Sequence, residues 1–246
     1  AGSSAGGEQP KFTVYATTSS GPRHVLVKFS VAEDSPVSER WRDLLLVEHL
    51  ALETLREAGI AAARTHVVDH GSQRFLEIER FDRVGGLGRR ALHSLSALDA
   101  EFVGAGTSVW PMIARRLADA GQIQSQAADG AAILWAFGTL IGNTDMHSGN
   151  LSFIAEHGRP YEIAPGYDMT AMALAPSSGG GLPDTIAAPN IHAAVPENTW
   201  RQAHSLASAF LSKLRASTGF SPRFSACAVA LEQHVRAAGD AISRLG

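Results

Sequence analysis

Residues 141–150 read I-G-N-T-D-M-H-S-G-N, and a second acid, Asp168, follows within A-P-G-Y-D-M, eighteen residues beyond Asn150. An Asp, an Asn five positions on and another Asp past a short hairpin form the oxygen-donor layout of metal-assisted phosphoryl transfer. That chemistry needs a carboxylate to orient the attacking hydroxyl. It also needs oxygen ligands to hold Mg²⁺ against nucleotide phosphates. Asp145 fits the first task, and Asn150 and Asp168 fit the second. A lone Asp-x-x-x-x-Asn is common by chance, so its weight depends on what surrounds it and in what order.

Immediately before this block, the alanine-rich stretch 127–141 carries Trp135 and Phe137 and stops at Gly142. Its composition predicts a helix buried on most sides, a rigid base for the loop. After the block, 151–154 and 161–163 read as a hairpin that returns Asp168 to Asn150, as one shared metal requires. Residues 175–190 contain A-P-S-S-G-G-G-L-P and have no periodicity. They are either a simple mobile loop or, by analogy with a kinase layout, the segment that receives a peptide. Two helices close the chain, one capped by Asn198 and one by Ser221-Pro222.

The first 82 residues read as strands around one helix. Residues 1–11, A-G-S-S-A-G-G-E-Q-P-K, lead into an apolar strand over 12–16. Glycines let backbone N–H groups approach an anion, so this loop could cover phosphates, or it could be a loose terminus. No G-K-[ST] follows, which excludes a Walker A loop. A second strand, 24–29, sets Lys28 among Val25, Leu26, Val27 and Phe29. Ser35-Pro36 then opens a helix that runs to Ala58 and stops at Gly59. Trp41, Leu45, Leu52 and Leu55 keep one face apolar, and Glu48 falls on that stripe. A buried acid is costly unless paired. Either Glu48 pairs with Lys28 and aims the ammonium at phosphates, or it sits at the stripe edge in solvent. T-H-V-V-D and R-F-L-E-I-E flank a turn at His70-Gly71 and predict a hairpin. Its second strand enters E-R-F-D-R, where backbone groups of Glu79 and Phe81 could read an adenine edge. A half-buried strand with a surface salt bridge explains the same residues.

Together S-S-A-G-G-E-Q-P-K-F, H-V-L-V-K-F, V-E-H-L-A-L, E-R-F-D-R, G-N-T-D-M-H-S-G-N and A-P-G-Y-D-M resemble the kinase domain of HipA-type toxins, in family order from Ser3 to Met169. These are bacterial serine/threonine protein kinases of type II toxin–antitoxin systems. The resemblance implies an α+β, two-lobed protein-kinase-like fold. A small antiparallel sheet lobe would cover 1–82 and a mostly helical lobe 83–246. It implies ATP and Mg²⁺ as cofactors. By matching position, Lys28 would contact ATP phosphates, and Gly6, Gly7, Gln9 and Lys11 would belong to the loop that covers them. Glu79 and Phe81 would be hinge contacts to adenine, Asp145 the catalytic base, and His147 and Asn150 neighbours of the nucleotide. Asn150 and Asp168 would bind the metal. Family members can autophosphorylate a serine in the phosphate-covering loop, and Ser4, with Ser3 beside it, matches that serine. The resemblance further implies a protein substrate, such as an aminoacyl-tRNA synthetase or another translation factor, and a DNA-binding antitoxin as partner.

Composition agrees with this picture. A chain of 246 residues can hold one large or two small domains with a full apolar core. A net charge of −3 argues against a nucleic-acid-binding surface in this segment. The single cysteine, Cys227, rules out a disulfide framework or a Cys-based zinc site within one chain, and its apolar surroundings predict simple packing. Neither a signal-peptide pattern nor eighteen consecutive apolar residues occurs, which points to the cytoplasm and away from membranes. The chain opens at Ala1 inside the glycine-rich loop, with no strand before it, so a longer protein is expected, with upstream sequence completing the smaller lobe. Two rival classes share part of the pattern. A small-molecule kinase of the aminoglycoside-phosphotransferase or choline-kinase type also spaces Asp and Asn by five, but usually has His where this chain has Thr144. A non-catalytic nucleotide-binding regulator would not need the complete set of polar groups found here.

Overall fold

Ser35 and Gly59 bound the helix on which both halves of the molecule pack. The computed structural model describes residues 9–18 and 21–245. In it α1 spans Pro36–Glu57, with Pro36 in the first turn and the Ser35 hydroxyl oxygen accepting from the Ser38 N–H at 3.2 Å. Gly59 takes φ +79°, a conformation that ends the helix at little steric cost.

On one side of α1 lies a four-stranded antiparallel sheet. Its strands are β1 (Lys11–Thr18), β2 (Gly21–Phe29), β3 (Thr65–His70) and β4 (Gln73–Glu79), in the order β1-β2-β4-β3. Burial alternates along β4, so Leu76 and Ile78 face inward with Leu45 of α1 and Ala63 to form a small core. The β3–β4 turn is one residue further along than expected. His70 still pairs with Gln73, and Gly71-Ser72 make the turn, with Gly71 at φ +58°.

On the other side is the helical half. It begins with a two-residue hairpin, β5 (Arg83–Val84) and β6 (Gly88–Arg89), followed by β7 (Leu92–Ser94). Next come α2 (Leu95–Phe102), α3 (Trp110–Asp119) and α4 (Ser125–Leu140). The expected hairpin forms from β8 (Ser152–Ile154) and β9 (Glu162–Ile163), and β7 adds a third strand at its edge. Helices α5 (Glu197–Ala216) and α6 (Ser225–Ile242) close the chain. Among the described residues, small antiparallel sheets and six helices make this the expected α+β architecture, with a sheet on one side of α1 and a mostly helical part on the other.

Helix α4 is buried without interruption from Ala131 to Gly138. A Cβ at Gly138 would come within 2.3 Å of the Met146 sulfur, so this glycine lets the following loop fold back on its own helix. The main apolar cluster runs from Leu44, Val47 and Leu50 of α1 into α4, α5 and α6. Polar ties reinforce it. Asp43 accepts the Ser221 N–H at 2.9 Å and hydroxyl at 2.6 Å, while Lys213 reaches Glu53 at 2.8 Å and Glu57 at 2.7 Å.

Two expected caps are corrected. The α5 cap is Pro196, whose carbonyl accepts the Trp200 N–H at 3.1 Å. Asn198 lies inside the helix, its side-chain oxygen turned to the Thr199 N–H at 2.8 Å. Ser221 opens a 3-10 turn, Pro222–Phe224, ahead of α6, and its hydroxyl serves Asp43 instead of a helix end. Cys227 is fully buried, as its surroundings predict. Among the described residues no helix is long and apolar enough to cross a membrane.

Leu52 is fully buried at the α1 seam, whereas Val229 on α6 is 51% exposed. Leu52→Ala should cost about 2–5 kcal/mol of stability through lost burial and a residual cavity. Val229→Ala should stay within about 0.5 kcal/mol. Urea denaturation midpoints measure both.

Candidate active site

Strand alternation turns Lys28 of β2 to the inner face of the sheet, toward α1. Its Nζ donates to both carboxylate oxygens of Glu48 at 2.8 Å and also contacts Asp168 Oδ1. Lys28 is 7% exposed and Glu48 1%, so Glu48 takes the paired, inward position of its two alternatives. Burial opposes the charge on Lys28, but the Glu48 and Asp168 carboxylates outweigh it and hold the ammonium above the usual lysine range. Burial pushes Glu48 upward, with Lys28 pulling against it. Burial also pushes on Asp168, but there Lys28 prevails and the carboxyl sits below its ordinary value. Two carboxylates around one ammonium leave a local negative excess, and about a third of the Asp168 side chain is open to solvent, at 34%.

Asn143, buried at the end of α4, organises the loop that follows. Its side-chain oxygen accepts the Asp145 N–H at 3.0 Å, and its amide donates to the Asp168 carbonyl at 3.2 Å. Asn150 Nδ2 donates to the Asp145 carbonyl at 2.8 Å, leaving its Oδ1 as the candidate ligand atom. His147 closes the 3-10 turn Ser148–Asn150 by accepting the Gly149 N–H at 3.1 Å, and its field helps to lower Asp168. The Tyr167 hydroxyl donates to the Gly149 carbonyl at 3.0 Å and meets Ser152 Oγ at 2.9 Å. Backbone bonds between Gly166 and both Ala61 (2.9 Å) and Ala63 (2.8 Å) hold this stretch against the base of the sheet. Asp168 adopts φ +58°, the left-handed region that a non-glycine residue rarely takes. The strain is sustained by bonds on both sides of it.

The exposed Asp145 carboxylate has no hydrogen-bond partner among the described residues. Among the described residues no three or more His, Cys, Asp or Glu side chains group as a closed metal cage. One carboxylate and one amide oxygen suit Mg²⁺, which keeps several waters and is shared with substrate phosphates.

Lys11 lies opposite Lys28 across β1–β2, and its charge bears on both Glu48 and Asp168. Gln9, two residues before β1, buries its Nε2 with no hydrogen-bond partner among the described residues. Glu79 donates its N–H to the Arg64 carbonyl at 2.8 Å, and its carboxylate accepts from Arg23 Nη1. The Phe81 ring packs 5.8 Å from Tyr167. Ser3, Ser4, Gly6 and Gly7 lie outside the described residues. Sequence reading missed Asn143 and Tyr167 as organisers. Both stand inside the quoted motifs, but only distances reveal that they join Asp145 to Asp168 and the loop to β8.

Comparison with known proteins gives a consistent result. A family model described as the HipA-like C-terminal domain matches residues 3–239. Toxin YjjJ of Escherichia coli (strain K12) is 42% identical over 246 residues, which is all of this chain and 55% of that protein. The chain thus spans about half the length of the curated relative it matches. Among solved structures, Shewanella oneidensis MR-1 HipA, determined with HipB and operator DNA, aligns with a TM-score of 0.62 at 19% identity, covering 98% of this chain and 64% of that one. The Helicobacter pylori proinflammatory kinase CtkA aligns with a TM-score of 0.62 at 11% identity, covering 97% and 93%. At these identities the two structures speak for the fold.

The Asp168 carboxyl is depressed in the folded chain, so its contribution to stability is present above the unfolded value and is lost as pH falls through the folded one. The thermal midpoint of the wild type should therefore fall on acidification below about pH 4 more steeply than that of Asp168→Asn. Parallel acid limbs in the two proteins would remove Asp168 from the pair.

Proposed function

The chain belongs to the HipA-like C-terminal domain family, and on that footing we propose that it transfers the γ-phosphoryl group of ATP to a serine or threonine hydroxyl of a protein. The carrying observation is that Lys28, Glu48, Asp168, Asn143, Asn150 and Asp145 form one connected cluster. A purely structural ion pair would not need an exposed carboxylate held beside it on a loop of fixed shape.

In this reading Glu48 fixes Lys28, and Lys28 and the glycine-rich loop hold the nucleotide phosphates. Mg²⁺ held by Asn150 and Asp168 would supply charge neutralisation for the phosphoryl group. Asp145 orients the acceptor hydroxyl and takes its proton as the oxygen attacks. Glu79 and Phe81 meet the adenine, and His147, Gln9 and Lys11 border the phosphates. The acceptor that the family resemblance favours is a translation factor such as an aminoacyl-tRNA synthetase. A DNA-binding antitoxin is the proposed partner, since the Shewanella HipA was solved with HipB and operator DNA.

Asp145→Asn should lower phosphotransfer by about 10²- to 10⁴-fold, the range for a positioned general base. Its Mg-ATP affinity by calorimetry should remain near wild type, because Asp145 orients the nucleophile and not the nucleotide. Radiolabel from ATP is followed into the proteins and metabolites of a lysate. Near-wild-type transfer by the variant would defeat the base assignment, and label confined to a metabolite would favour a small-molecule kinase.

Slow self-phosphorylation at Ser4 or Ser3 is also proposed. A phosphate there adds roughly −1.5 to −2 charges where ATP phosphates must bind. Activity should decline as the modification accumulates, and mass spectrometry after incubation with Mg-ATP reads both serines. An active preparation without phosphate on either would sink the idea.

A further inference from the structure

Arg40 sits on α1, eight residues before Glu48, and is 7% exposed. Its Nη1 donates to the Leu174 carbonyl at 2.7 Å and to the Pro183 carbonyl at 2.6 Å. Its hydrogen-bond partners among the described residues are both backbone carbonyls, not a carboxylate. A buried cation without a carboxylate is costly, and what compensates it here is a pair of charge-assisted bonds to backbone.

The two carbonyls are nine residues apart in sequence and form the neck of a loop. Inside the loop, the Ser177 N–H donates to the Gly181 carbonyl at 2.9 Å and the Gly180 N–H to the Ser177 carbonyl at 2.8 Å. Ser177 Oγ accepts the Gly181 N–H at 2.9 Å. Among the described residues no backbone–backbone bond crosses the neck between Leu174 and Pro183 itself, and there the guanidinium bridges the two sides. The loop's flanks rest on the base of the Asp145 loop. The Ala173 N–H donates to the Gly142 carbonyl at 2.9 Å, and Ile186 packs so closely that a Cβ on Gly142 would lie 3.1 Å from it.

We propose that Arg40 is a positioning residue. It staples the Leu174–Pro183 loop to α1, so that this loop, the Glu48-bearing helix and the support of Asp145 keep one mutual geometry. On the kinase reading, in which residues 175–190 receive a peptide, its action falls on the acceptor side of the site. The catalytic consequence rests on the kinase reading above, whereas the staple does not.

Arg40→Met keeps the buried stem and removes the donors, and Arg40→Lys restores a cation that can reach at least one carbonyl. Hydrogen exchange at Ala175, Ser177, Gly180 and Gly181 should quicken by about tenfold or more in Arg40→Met, with partial recovery in Arg40→Lys. Phosphotransfer to a protein acceptor should fall about ten- to hundredfold, as expected of misplacement near the chemistry, while Mg-ATP affinity stays within about threefold. Unchanged exchange in Arg40→Met overturns the staple whether or not the enzyme is active. Faster exchange with unaltered transfer overturns the positioning role. If the wild type transfers no phosphate, the kinase reading falls, and the exchange comparison still decides the staple.

Discussion

The arrangement of this molecule depends on one buried ammonium. Lys28 gathers a carboxylate from 20 residues away and another from 140 residues away. Neither acid could be buried alone, because an isolated charge in a low-dielectric interior is far more costly than a paired one. The pairing therefore constrains the sheet, α1 and the Asp168 segment together. β2 must keep the face it presents, α1 must keep Glu48 inward, and the chain before Asp168 must return beneath the sheet. Gly166, bonded to Ala61 and Ala63, secures that return.

Helix α1 transmits this constraint to the rest of the fold. Leu45 packs beneath the sheet, while Leu44, Val47 and Leu50 join the large cluster of the helical half. Asp43, Glu53 and Glu57 fasten the same helix to Ser221 and Lys213. A helix held along both faces has little freedom to swing away and take Glu48 with it. Conformational change at this site is therefore more readily accommodated by loops than by displacement of α1.

What could be read in the sequence was whatever carried its own energetic demand. A lysine in an apolar strand and a glutamate on an apolar stripe each need a partner, so their meeting was legible. So were the α1 boundaries, since Ser35, Pro36 and Gly59 act locally, and so was the burial of α4, from the apolar run around Trp135 and Phe137. Features whose meaning lies in three-dimensional distance were not legible. Asn143 differs from any other asparagine only in what surrounds it. β7, at three residues, is too short to show a period and exists because β8 offers it an edge. Asn198 has the chemistry of a cap, but Pro196 reaches the helix start first. Ser221 was drawn from its expected cap by an acid 178 residues away, a competition no local pattern records.

The solitary sulfhydryl has a consequence for how the molecule can be watched. Cys227 is fully enclosed between α6 and its neighbours, and burial raises its thiol, so reactive thiolate is scarce in the closed form. A thiol reagent can reach it only when the packing around α6 loosens. With no other sulfhydryl in the 246 residues to compete, the chain carries its own clock for the opening of its helical half. Its ticking rate reports how often that half breathes, and a bound molecule that steadies the packing would slow it.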